Sequence, residues 1–278
     1  MATRTATLPA TVLHAPARVG IVLPSISLWW REIVRFYRQK SRVVGVIASP
    51  LLFWLVIGSG FGTSFRSSGA GGQHYLDYFF PGALIMIVLF TAIFTMMSVI
   101  EDRKEGFLLS VLVAPVSRSV IVLGKVLGGT ALAFLQGVVF LLLAPVVGLH
   151  LTLLGAMQAC LMMLIISFAL TGLGFCIAWR MSSTQGFHAI MNLFLMPLWF
   201  LSGALFTPQT AWTGLRWVMR VNPLSYGLAG LQRAVFSDSS VSALPDWGLI
   251  LGVSVGFAAL MLWLCTMIAS RNTAADLQ

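Results

Sequence analysis

Glu101, Asp102, Arg103, Lys104 and Glu105 stand together in a chain that is otherwise a series of long apolar runs. That contrast restricts the fold more than any other feature. An apolar helix of about 20 residues crosses a hydrocarbon core roughly 30 Å thick, and runs of that length flank the charged stretch on both sides. Only 9% of the 278 residues are charged and 58% are hydrophobic, whereas soluble domains carry about 25% charged residues. The chain therefore reads as an all-α integral membrane protein. Six spans are expected, at about 43–61, 78–100, 120–149, 151–179, 188–205 and 248–269, with a tight antiparallel hairpin at Gly148–His150.

The charged stretch emerges from the membrane between the second and third spans, as a loop over residues 101–119. Within it, Phe107, Leu108, Val111 and Leu112 fall at helical spacing and share one face; Gly106 loosens the entry and Pro115 ends the helix. Three seats are open to such a face on these residues alone: a soluble partner, the lipid headgroups or the chain's own spans.

Residues 1–24 are interrupted by Pro9, Pro16 and Pro24 and read as a mobile tail without a signal-peptide core. Residues 25–42 read as a basic amphipathic helix. Arg31, Arg35, Arg38 and Arg42 form one face, and Trp30, Ile33, Val34 and Tyr37 form another. The expected placement is the membrane interface, with the aromatic side in lipid and the arginines on anionic headgroups. Residues 206–247 are too polar for a span and too apolar for a solvated loop, and short interfacial or re-entrant helices suit them. With the N-terminus inside the cell, thirteen Lys and Arg lie on inside segments and four outside. Both termini and the 101–119 loop are thus expected to be cytoplasmic, in the cell membrane.

Several chemistries have no foothold. Gly124-Lys125 is followed by Val126 and lacks the glycine five residues earlier that a phosphate-binding loop needs. No hydrolase or metalloprotease motif occurs, the four histidines are scattered, and Cys160, Cys176 and Cys265 sit singly inside apolar runs. No catalytic, cofactor-binding or metal-binding residue is expected, nor a nucleic-acid partner. The central thirds of the spans hold no ionisable side chain, unlike most ion-coupled carriers. Thr91, Thr95, Gln136, Ser167, Thr171, Asn192 and Ser254 are read as helix–helix hydrogen-bonding groups before substrate contacts. Pro145 and Pro197 are expected to kink the third and fifth spans, and Gly252 and Gly256 form a close-packing G-x-x-x-G.

Three stretches together resemble the membrane subunit of type-2 ABC exporters, the family of daunorubicin-type drug, polysaccharide and lipid export permeases. They are Tyr78–Gly82 (YFFPG); Glu105-Gly106 through Leu112, Pro115 and Ser117-Arg118 to Leu123-Gly124-Lys125; and Ser202-Gly203 with Pro208, then Asn222-Pro223-Leu224-Ser225-Tyr226 and Arg233. Phe107 departs from the pattern, since many members carry Thr there. The resemblance covers about residues 27–270. It implies a six-span permease in residues 25–278 that forms a homodimer and pairs with cytosolic ABC ATP-binding subunits, which hold the ATP. It also implies a cytoplasmic coupling helix around Glu105, Gly106, Phe107, Leu108, Val111, Leu112 and Pro115. The interface helix would carry Trp30, Arg31, Arg35 and Arg38, and the short outer helices Asn222, Pro223, Tyr226 and Arg233. The expected role is ATP-driven export of a hydrophobic drug or lipid-like molecule. A stand-alone secondary transporter or a channel subunit is the alternative.

Overall fold

In the computed structural model, residues 21–60, 75–113, 117–205, 211–236 and 244–271 are described. The expected tail at 1–24 therefore lies almost wholly outside the described residues, as do Pro115 and Pro208. Among the described residues there are eleven α-helices and no strand. In chain order they are α1 (Val22–Arg38), α2 (Lys40–Gly60), α3 (Tyr75–Thr95), α4 (Met97–Lys104), α5 (Phe107–Val113) and α6 (Arg118–Leu141). There follow α7 (Leu153–Trp179), α8 (Thr184–Phe200), α9 (Thr213–Val221), α10 (Pro223–Val235) and α11 (Trp247–Arg271).

Five helical stretches are long and apolar enough to cross a membrane: Val43–Gly60, Tyr78–Lys104, Arg118–Val147, Leu153–Trp179 and Trp247–Ser270. The run expected at 188–205 is instead a 17-residue helix, α8, starting four residues earlier. At about 1.5 Å per residue it reaches roughly 25 Å, short of a full crossing. Its start is set by Ser183, whose side chain accepts from the Gly186 N–H. The charged residues 101–104 are also not a loop. After a single turn residue at Met96 the second span continues as α4 through Lys104.

Pro145 does not bend the third span. Helix α6 has already ended at Leu141, and Pro145 lies at the start of a 3-10 turn, Ala144–Val147, where its missing N–H costs nothing. Gly148, at φ +85, turns the chain, and the Thr152 side chain caps α7 by accepting from Gly155 N–H.

Helix α3 is the axis of the bundle. It is 89% buried over its span, against 19% for α2 and 28% for α11, so α2 and α11 are the spans with a wide outer face. Around α3 pack α2, α6, α7 and α10, and α11 lies along α7. The outward side chains of α2, α6, α7 and α11 are apolar, among them Leu52, Val56, Val139, Leu161, Leu164, Leu249, Val255 and Trp263, as lipid contact requires. Of the polar groups at depth, Thr91 and Gln136 bridge helices, Thr91 donating to Gln136. Thr95 and Thr171 donate back to carbonyls of their own helices, and Asn192 is exposed.

Candidate functional site

Part of the arginine side of α1, expected on lipid headgroups, packs on protein. Gly124 and Gly128 leave a notch along α6, and α1 fills it. A Cβ at Gly124 would sit 2.6 Å from Leu28 Cβ, and one at Gly128 would sit 2.8 Å from Glu32 Cβ. This seating turns Glu32 inward, where it is 4% exposed, and brings it to Lys125, which is 1% exposed. An ionised side chain at that depth must be paired and hydrogen-bonded, and Lys125 is. Its ammonium donates to Glu32 Oε1 at 2.6 Å, to Ser98 Oγ at 3.1 Å and to Asp102. All three donors are used.

Asp102, wholly buried on α4, is the hub. Arg31 donates to both of its oxygens, at 2.8 and 3.0 Å, in a bidentate pair. Arg35 donates to it as well. Arg35 further meets Glu101 at 3.1 Å and Glu105 at 3.0 Å, and Ser98 Oγ donates to Glu32 Oε2 at 2.6 Å. Burial works against the Arg31 charge, but its hydrogen bonds to Asp102 and the attraction of Asp102, Glu32 and Glu105 hold its pKa above the ordinary guanidinium value. Two arginines of the expected basic face thus point at carboxylates of the second span rather than at headgroups. The aromatic face does lie open, with Trp30 and Tyr37 59% and 51% exposed, and Arg38 is exposed too.

Neighbouring arginines close the ends of two other helices. Arg103 donates to the carbonyls of Trp179 (2.5 Å) and Met181 (3.2 Å), just where α7 ends, and its guanidinium faces the Trp179 ring. Arg118 donates to the Ala269 carbonyl at 2.9 Å, near the end of α11. Carbonyls in a last helical turn have no partner within the helix, and a cation there also opposes the negative end of the dipole. Helices α1, α4, α6, α7 and α11 are therefore tied together at one end of the bundle.

Helix α5 sits on that end. Gly106 adopts φ +73, a left-handed corner that lets the chain leave α4 and enter α5 at once. It fixes the angle, where a loosened entry was expected. Phe107 lies under Arg31, whose guanidinium carbon is 3.6 Å from the ring centroid. Leu108 is 3% exposed and belongs to the main apolar core, with Val111 packed against it. Of the three seats the sequence left open to this face, Leu108 takes the chain's own spans. Among the described side chains from Lys104 to Val111, those of Lys104, Glu105 and Ser110 are exposed. The Leu112 side chain and Pro115 lie outside the described residues.

The other predicted site residues gather at the opposite end. Asn222 caps α10, accepting from Leu224 N–H at 2.9 Å, and its amide donates to the Leu198 carbonyl of α8 at 2.7 Å. Pro223 takes the first helical position. Ser225 donates to the Leu201 carbonyl at 3.3 Å, Tyr226 to the Arg220 carbonyl at 3.0 Å, and Arg233 to the Leu244 carbonyl at 2.8 Å. Trp199 donates from its indole to the Gly82 carbonyl at 2.9 Å, and a Cβ at Gly82 would sit 2.9 Å from the Ala204 oxygen. Two of the sequence motifs, Pro81-Gly82 and Ser202-Gly203 with Asn222-Pro223, are thus parts of one joint. The third motif forms the charged end.

Glu32, Ser98, Asp102, Arg103 and Lys125 had not been singled out as site residues. A signal was present: Glu32 is the only acid among the first 76 residues, and Lys125 the only charged residue between Arg118 and Arg180. Lys125, an isolated charge in an apolar run, needs a partner, and Glu32, a lone acid in a basic stretch, has the opposite sign. No group of three or more His, Cys, Asp or Glu side chains suited to a metal ion occurs among the described residues.

Residues 25–236 match the family described as ABC-2 type transporter. The chain is 25% identical over 271 residues to the daunorubicin resistance ABC transporter permease protein DrrB1 of Streptomyces coeruleorubidus, covering 94% of this chain and 92% of that one. It is 24% identical over 241 residues to the inner membrane transport permease YadH of Escherichia coli K12, covering 83% and 90%. The putative transport permease ycf38 of Cyanophora paradoxa is 26% identical over 213 residues, 76% of this chain and 73% of its own.

Proposed function

The chain belongs to the ABC-2 type transporter family, and from that premise we propose that it is the membrane subunit of an ATP-driven exporter whose ATP-binding subunit docks on the α4–α5 end. The observation that carries this reading is the buried cluster around Asp102, lying beside an exposed corner at Lys104 and Glu105 and a short helix, α5, with exposed Ser110. A push on α5 passes through Gly106 into α4. Through Asp102 it reaches α1 and α6, and through Arg103 it reaches the end of α7. Rigid helices joined by ion pairs transmit such a push without needing a moving part in mid-membrane. In this reading the charged end and both termini are cytoplasmic, α8 to α10 close the path on the outer side, and α8 makes the sixth crossing together with the residues after it. Helix α11 presents Gly252 and Gly256 outward, with no atom of the chain within 4 Å of a Cβ at either. That open notch suits a second copy of the permease. The substrate proposed is a hydrophobic drug or lipid-like molecule; the Streptomyces relative is named as a daunorubicin resistance permease.

The test is gentle detergent purification of the tagged chain from its native membrane, with an ATPase assay on what accompanies it. Recovery of a soluble ATP-binding protein whose hydrolysis depends on the permease is expected. A permease that moves substrate in ATP-depleted vesicles, with no such partner, would establish a stand-alone carrier instead. Because Leu108 is a core residue, Leu108→Asp would disturb folding together with docking. Charge reversal at the exposed Glu105 is the cleaner variant.

A further inference from the structure

Two of the three cysteines, 89 positions apart in sequence, meet in space. Cys176 on α7 and Cys265 on α11 are free thiols with their sulfur atoms 3.4 Å apart. The approach has a local cause. One turn back on α7, Gly172 has no side chain, and a Cβ there would sit 2.9 Å from Met261 Cβ and 3.7 Å from Cys265 Sγ. The two helices close on each other at this glycine, and the Cys265 thiol donates to its carbonyl at 3.2 Å. Exposure is unequal: Cys265 is 0% exposed, while Cys176 is only partly buried. Cys176 lies about one turn from Trp179, and Cys265 about one turn from Ala269, the carbonyls that Arg103 and Arg118 hold.

We propose that Cys176 and Cys265 form a redox-responsive pair that hydrogen peroxide converts to a disulfide joining α7 to α11. The accessible Cys176 sulfur attacks the peroxide, the O–O bond breaks, and Cys176 becomes a sulfenic acid as one water leaves. The Cys265 sulfur then displaces the sulfenic hydroxyl; the S–S bond forms, and the thiol proton departs with that hydroxyl as a second water. Two thiols are oxidised by two electrons and the peroxide is reduced to two waters. A disulfide needs sulfurs about 2.05 Å apart, so the pair, now at 3.4 Å, must close by about 1.4 Å. The product replaces a sliding contact between two spans with a covalent one, close to the tied end of the bundle. Cys160 stands aside: it is sixteen residues from Cys176 on the same helix, about 24 Å along the axis.

The test uses the full-length chain, reduced and freed of reductant in lipid nanodiscs, then treated with hydrogen peroxide. Thiols are counted after denaturation by gel shift with a polyethylene-glycol maleimide. Three labels are expected before treatment and one after, at the mobility of a single chain, with three restored by dithiothreitol. The intact mass should fall by two hydrogens. Cys176→Ser and Cys265→Ser should each keep their partner sulfur from forming any dithiothreitol-reversible crosslink within the chain. Retention of three thiols by the wild type, under peroxide that oxidises a dithiol peptide in the same sample, would overturn the proposal. So would an undiminished intrachain crosslink in Cys176→Ser. Neither readout involves transport, so the result stands apart from the proposed export function.

Discussion

At the end of the bundle where α4 meets α5, Asp102 faces three cations, whereas at the opposite end Asn222 and Trp199 each hold a neighbouring helix through a neutral hydrogen bond to its carbonyl. The two joints differ in how far they can rearrange and stay paired. A carboxylate among Arg31, Arg35 and Lys125 keeps a partner if any one of them moves, and Arg35 keeps Glu101 or Glu105 if it turns from Asp102. Such a joint tolerates rearrangement while remaining paired. The far joint has no spare partners. Asn222 uses its oxygen on Leu224 and its amide on Leu198, and losing either leaves a backbone group unpaired. Aromatic packing stiffens it further, with Phe53 and Phe79 set edge-on to Trp199 at centroid distances of 5.6 and 6.0 Å. A permease driven from one end needs a joint that can change there and one that holds position at the other.

The largest break in that comparison should come from Asp102→Ala. Three buried or half-buried cations lose their common partner, and removing one side of a buried ion pair costs about 3–5 kcal/mol. Thermal unfolding in detergent should show a loss of that order, and a variant as stable as the parent would deny Asp102 its place as hub. Next, Asn222→Ala removes a helix cap and an interhelical hydrogen bond together, an expected cost of about 2 kcal/mol. Trp199→Phe keeps the ring and loses only the bond to Gly82, so about 1 kcal/mol is expected; an equal loss in both variants would argue against a cap at Asn222. Gly106→Ala meets no atom within 4 Å of the new Cβ, so its cost is that of the left-handed backbone alone, about 1–2 kcal/mol. The smallest change is Glu105→Gln at an exposed pair with Arg35, worth under about 1 kcal/mol in stability. Its effect on ATPase activity of the assembled transporter should be much larger than its effect on melting. Equal insensitivity of both would remove Glu105 from the coupling surface.

The sequence carried the spans well where apolar runs were long and uniform, as in α7 and α11. It carried the three motifs that mark the family. It misjudged the boundaries where two rules compete. Pro81 reads as an entry signal but lies inside α3, which starts at Tyr75, and the charges at 101–104 read as a loop although helix continues beneath them. The amphipathic pattern of α1 was right and its aromatic side lies open, but Arg31 and Arg35 meet Asp102 where headgroups were expected. Four arginines on one face suit anionic lipid equally well as buried carboxylates, and only the glycine notch of α6 decides between them. That notch is a long-range fact: nothing near Arg31 in sequence reports that Gly124 and Gly128 will leave room for Leu28 and Glu32. The paired isolated charges, Glu32 and Lys125, were the one clue available in advance. The joint between Pro81-Gly82 and Asn222-Pro223 depends likewise on tertiary approach, since each motif reads locally as only a turn or helix start.

The account stands on which end of the bundle receives the ATP-binding subunit. A single reactive cysteine placed at exposed Ser110 on α5, and separately at Trp212, 80% exposed at the opposite end, settles it in a background with the native cysteines replaced by serine. With a short bifunctional crosslinker and the co-purified transporter, Ser110→Cys should capture the ATP-binding subunit in a manner that responds to nucleotide, and Trp212→Cys should not. Capture at Trp212 with none at Ser110 would contradict the assignment of the charged end as the coupling end.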